Sequence, residues 1–120
     1  MLHRPDPFHA NCPTRLVLDR IGDKWAVLIL IMLERGTLRF NELRRRIESI
    51  SQKMLSQTLK SLERDGLITR AVLPTVPVTV EYTLTDLGRT LAATVDLLRL
   101  WAEDNIAAVQ AAQTRYDRGG

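Results

Sequence analysis

Residues 51–66, SQKMLSQTLKSLERDG, constrain the fold more than any other stretch of the chain. Ser51 is a favourable helix N-cap, Leu55, Leu59 and Leu62 recur at helical spacing, and Gly66 supplies a stop. One amphipathic helix is predicted. Its polar face carries Ser51, Gln52, Lys53, Ser56, Gln57 and Lys60, with no carboxylate before Glu63. Such groups can meet base edges and phosphate oxygens of DNA, whereas acidic groups would repel phosphate. An ordinary solvated face would also fit this helix alone, so its neighbours have to decide.

The segment before it, FNELRRRI, places Phe40, Leu43 and Ile47 at helical intervals and spreads Arg44, Arg45 and Arg46 around its other side. A turn of a few residues, 48–50, separates the two helices, which is a helix-turn-helix arrangement. In that motif the second helix enters the major groove and the first lies across the backbone. Three arginines on the first helix and Gln, Ser and Lys on the second suit that division. After Gly66, LITRAVL is strand-like, Pro74 and Pro77 bracket a turn, and VTVEYTL alternates with Val78, Val80, Tyr82 and Leu84 on one face. This hairpin is the expected wing.

The flanking segments complete the domain. Residues 1–11 hold two prolines, Pro5 and Pro7, and no apolar period, and are read as an extended arm. Pro13 can open a short helix, capped by Cys12 or Asn11 and running to about Ile21. KWAVLILIMLE, residues 24–34, is apolar on nearly every side, which predicts a buried central helix with Trp25 as its largest anchor. Residues 37–39 suit a very short strand. Beyond the hairpin, Thr85 or Asp86 caps a long helix whose stripe of Leu87, Leu91, Val95, Leu98, Trp101, Ala102 and Ile106 is widened by Leu97 and Leu100. So broad an apolar face exceeds what a small core can cover, and a second subunit is expected against it, with packing on the chain's own amino-terminal helices as the alternative. Residues 114–120 are expected to fray. The fold class expected is therefore mainly α with a small β-hairpin, a winged helix-turn-helix over residues 12–113.

Charge follows the same division. Residues 35–70 hold nine Lys/Arg against four Asp/Glu, whereas residues 71–120 hold four against six. The positive excess lies where phosphate would be met. With 120 residues, 45% hydrophobic and 26% charged, one globular domain is expected. No apolar run is long enough to span a bilayer and no secretory signal is evident, so a cytoplasmic protein without a membrane partner is expected. A single cysteine agrees with a reducing compartment.

The pieces CPTRLVLDRIGDKWAVLIL, LRFNELRRRIESISQKMLSQTLKSLERDGLITR and VPVTVEYTLTDLGRTL together resemble the HxlR-type winged-helix transcriptional regulators of bacteria and archaea, within the MarR-like superfamily. The resemblance covers about residues 12–101. It implies a homodimer built from the N- and C-terminal helices, which presents two reading helices to successive major grooves of an inverted-repeat operator on double-stranded DNA. Carried over by position, it places Arg39, Arg44, Arg45 and Arg46 near phosphate. Ser51, Gln52, Lys53, Ser56, Gln57 and Lys60 fall on the reading helix, and Arg70 supports the wing. The chain departs from the family at the wing tip, where Leu73 and Val78-Thr79 stand in place of an aromatic and a basic residue.

Some members of that family sense oxidants or electrophiles through a cysteine matching Cys12, which would make such a molecule the effector here. A cysteine at a helix amino terminus beside Arg15 is biased toward thiolate, although a packing role between helices accounts equally well for it. His3, His9 and Cys12 lack a fourth neighbouring ligand, so no metal or cofactor is expected. The sequence holds no G-x-S-x-G motif and no phosphate-binding glycine loop, and Glu42, Glu48, Glu63 and Glu81 fall in separate elements as solvated, capping or ion-pair groups. No catalytic residue is expected. The main functional alternative is a winged-helix module that binds an acidic protein partner rather than specific DNA.

Overall fold

The computed structural model describes Asp6, Phe8 and residues 13–119. Helix α1 spans Pro13–Ile21, α2 Lys24–Glu34, α3 Phe40–Arg46, α4 Gln52–Arg64 and α5 Asp86–Asp117. Strands β1 (Leu38–Arg39), β2 (Ile68–Leu73) and β3 (Thr79–Leu84) form one antiparallel sheet in the order β1-β3-β2. The short strand at residues 38–39 thus joins the wing, with Leu38 opposite Tyr82 and Arg39 opposite Glu81. Val80, Tyr82 and Leu84 share a face as the alternation requires, while Val78 lies exposed outside β3.

Local chemistry sets the helix boundaries. Asp23 caps α2 by accepting from the backbone N–H of Trp25 at 2.9 Å, and Thr85 caps α5 by accepting from that of Gly88 at 2.9 Å. Helix α4 ends in a Schellman motif, in which Leu67 N–H reaches the Leu62 carbonyl and Gly66 N–H the Glu63 carbonyl, each at 3.0 Å. Gly66 supplies the left-handed φ of 75° that this ending needs. Between α3 and α4, Ser49 takes the left-handed conformation at φ 72°.

The core joins α2, α3, α4, the sheet and the start of α5. Ala26, Ile29, Leu30 and Leu33 of α2 meet Leu43, Ile47, Leu55, Leu59 and Leu62, with Ala92 and Val95 of α5 closing the far side. Full burial of each leucine contributes roughly 1.5–3 kcal/mol. Helix α2 is not enclosed on every side, contrary to its composition. Leu28 is 42% exposed and Trp25 only half-buried, its ring lying 4.6 Å beneath the Lys24 ammonium, so Ile29 and Leu30 are the true anchors.

Helix α5 divides along its length. Gly88, Ala92 and Val95 are buried in the chain's own core, so the alternative of packing on the amino-terminal part applies to the first third of the helix. Its apolar residues from Leu97 onward are exposed. The Arg99 guanidinium bridges Asp96 and Glu103, each at 2.7 Å, and its hydrogen bond holds the Asp96 carboxyl below the usual carboxylate range. The helix also continues through residues 114–117, where fraying was expected. Thr114 donates to the Gln110 carbonyl at 3.0 Å, and no helix breaker intervenes before Gly119.

Candidate nucleic-acid interface

Helix α4 presents two opposed faces. Leu55, Leu59 and Leu62 are buried, whereas Gln52, Lys53, Gln57 and Lys60 are exposed and Ser56 is half-buried. Thr58 completes the buried stripe at the i, i+3 position from Leu55, its hydroxyl satisfied by the Met54 carbonyl at 2.8 Å. The stripe spacing marks that position, but a polar residue there conceals it. Ser51 accepts from the Met54 N–H at 3.0 Å, so its hydroxyl is engaged as the helix cap before any ligand arrives.

The arginines are not equivalent. Arg44, Arg45 and Arg46 are exposed in the last turn of α3 and carry no ion pair among the described residues. The Arg39 guanidinium instead lies 3.8 Å from the Glu81 carboxylate on the neighbouring strand. Glu42 caps α3 by accepting from the Arg39 N–H at 2.9 Å. Glu42 and Glu81 are thus capping and ion-pair groups.

Two grooves flank α3 and α4 on the wing side. One, of about 810 Å³, runs from Arg39 and Arg45 to Pro77 and Thr79 at the wing tip. The other, of about 420 Å³, lies between α4 and the wing root, lined by Phe40, Ser56, Lys60, Glu63, Arg70, Val80 and Tyr82. The wing tip itself is tied by Thr75, whose hydroxyl reaches the Pro77 carbonyl and the Thr79 hydroxyl, each at 2.7 Å. It has no basic side chain between Pro74 and Val78.

Behind this surface a junction not marked by the sequence patterns joins α4 to α5. Thr85 donates to the Gly66 carbonyl at 2.7 Å, and its N–H donates to the Leu67 carbonyl at 3.0 Å. At Gly88 a Cβ would overlap the Leu67 carbonyl oxygen. Arg20 of α1 pairs with Asp65, the C-cap of α4, at 2.7 Å. The carboxyl-terminal end of α4 is therefore held by both terminal helices.

A helix-turn-helix followed by a sheet wing, with an exposed basic and amide-bearing second helix, defines the winged helix-turn-helix class. The HxlR-like helix-turn-helix family model matches residues 20–110, and the chain belongs to that family of transcriptional regulators. The uncharacterized HTH-type transcriptional regulator YtfH of Escherichia coli (strain K12) is 46% identical over 104 residues, covering 87% of this chain and 82% of its own. The solved structure of ytfH from Salmonella typhimurium is 42% identical, with a TM-score of 0.88 over 92% of this chain and 99% of that one. The redox regulator HypR in its reduced form is 41% identical, with a TM-score of 0.76 over 82% and 98% of the two chains. A structure of its oxidized form is 45% identical, with a TM-score of 0.72 over 78% and 97%. None of these comparisons points to an enzyme family. Among the described residues no helix is long and apolar enough to cross a membrane. Cys12, His3 and His9 lie outside the described residues.

Proposed function

We propose that the chain is a cytoplasmic, homodimeric, sequence-specific DNA-binding regulator that reads an inverted-repeat operator. The observation that carries this reading is the exposed face of α4, where Gln52, Ser56 and Gln57 stand beside Lys53 and Lys60 without a carboxylate before Glu63. Amides and hydroxyls discriminate base edges, while Lys53, Lys60 and the exposed Arg44, Arg45 and Arg46 attract phosphate. Arg39, whose guanidinium lies 3.8 Å from the Glu81 carboxylate, contributes less, and Arg70 serves the wing root. Replacing Gln57 by Ala is expected to weaken the cognate duplex far more than random DNA. Arg45→Ala is expected to weaken both and to reduce the salt slope by about one. Equal losses on both DNAs for Gln57→Ala would remove the specificity assignment.

The dimer reading rests on apolar surface that the single chain leaves open. Leu97 is 66% and Trp101 61% exposed, and Leu16, Val17 and Leu87 line an apolar groove between α1 and α5. A second copy burying both terminal helices would cover this surface and space the two α4 helices by about one turn of DNA, roughly 34 Å. The bridges from α4 to α1 and α5 would carry a change in dimer geometry to the reading surface.

The proposed point of action of an oxidant or electrophile is Cys12, which precedes Pro13, the first residue of α1, in the sequence. HypR, solved in reduced and oxidized forms, is a relative named for redox regulation. Wild type is expected to change its DNA affinity after mild oxidation, whereas Cys12→Ser is expected to keep its initial affinity. Titrations of both proteins before and after oxidant decide this, and identical behaviour of the two would reject a thiol switch.

A further inference from the structure

The wing tip holds no lysine or arginine, so a wing contact to phosphate has to come from another part of the hairpin. The cleft of about 420 Å³ between α4 and the wing root has the chemistry for one. Arg70 and Tyr82 are cross-strand partners, so their side chains leave the same face of the sheet. Tyr82 is only 7% exposed, yet its hydroxyl has no hydrogen-bond partner among the described residues. Tyrosine hydroxyls at buried positions ordinarily have one. The hydroxyl is not sealed in the core, because no fully buried side-chain oxygen or nitrogen among the described residues lacks a partner, and Tyr82 lines the cleft. Lys60 and Arg70 line the same cleft and carry no ion pair among the described residues.

We propose that this cleft seats a single phosphate of the DNA backbone, with the Tyr82 hydroxyl donating to it from the floor and Lys60 and Arg70 meeting it from the sides. The proposal rests on the DNA-binding reading and adds a named contact to it. Charge favours one diester: Lys60 and Arg70 against Glu63 leave the cleft one positive charge in excess, which matches one diester phosphate. Ser56, half-buried in the same lining, lets the strand pass beside the base-reading face of α4. The wing root then replaces the tip as the wing's phosphate contact.

The test uses the full chain and a duplex enriched from a random-sequence pool by the wild-type protein. Tyr82→Phe keeps the buried ring and removes only the hydroxyl, so its thermal unfolding should match wild type. Its affinity for the duplex is expected to fall about tenfold, the effect of losing one hydrogen bond to a charged acceptor, with an unchanged salt slope. Arg70→Gln should weaken binding and also lower the slope by about one. A scan of single methylphosphonate substitutions should find a position per half-site that weakens wild type but weakens Tyr82→Phe much less. Wild-type affinity in Tyr82→Phe, or a loss shared with no phosphate position, would overturn the phosphate seat alone. Failure of the wild-type protein to enrich any sequence would overturn the DNA-binding reading and the seat with it.

Discussion

Gly88→Ala is expected to destabilise the protein by about 2–3 kcal/mol, although intrinsic helix propensity alone would favour alanine by about 1 kcal/mol. The reason is the approach of α5 to the start of β2. A Cβ at Gly88 would overlap the Leu67 carbonyl oxygen, lie 2.9 Å from its carbon, and press on Leu84 at 3.2 Å. The obstructing atoms are backbone and cannot rotate away. That carbonyl also accepts from the Thr85 N–H, so moving it loosens the cap of α5. For a chain of this size the loss corresponds to a fall in Tm of roughly 8–12 °C at matched protein concentration. A Tm equal to or above that of wild type would mean that the close approach does not govern the junction.

The second large effect is expected at the outer face of α5. Paired replacement Leu98→Glu and Trp101→Glu retains good helix formers and touches none of the buried positions Gly88, Ala92 and Val95. The folded chain should survive, with sedimentation equilibrium reporting a monomer. Loss of simultaneous engagement of two half-sites should reduce operator affinity by about 10²- to 10⁴-fold. A variant that stays dimeric, or a monomer with undiminished affinity, would contradict the assignment of this face.

Much of the architecture is legible in the chain because it rests on local rules. The stripe Leu55, Leu59 and Leu62, the Ser51 cap and the Gly66 stop fix α4 with little help from the rest of the molecule. The alternation through Val80, Tyr82 and Leu84 fixes β3 in the same way. Features that depend on long-range juxtaposition are not legible. The pairing of β1 with β3, the Arg20–Asp65 bridge and the contact of Gly88 with Leu67 join residues far apart in sequence. Composition also overstated the enclosure of α2, because the apolar side at Leu28 is left open in the single chain. For the candidate site, helical spacing separates the exposed face of α4 from its buried face. It could not tell that Arg39 is drawn to Glu81 while Arg44, Arg45 and Arg46 remain unpaired among the described residues, or that Tyr82 brings an unpartnered hydroxyl to the wing root.

The proposed sequence discrimination by α4 is tested most directly by an equilibrium titration. The wild-type protein is titrated with the duplex it enriches from a random pool and with a scrambled duplex of equal length, at one stated salt concentration. Two chains per enriched duplex and an affinity at least about 10³-fold above that for the scrambled duplex are expected. Equal affinities for the two duplexes would contradict the account.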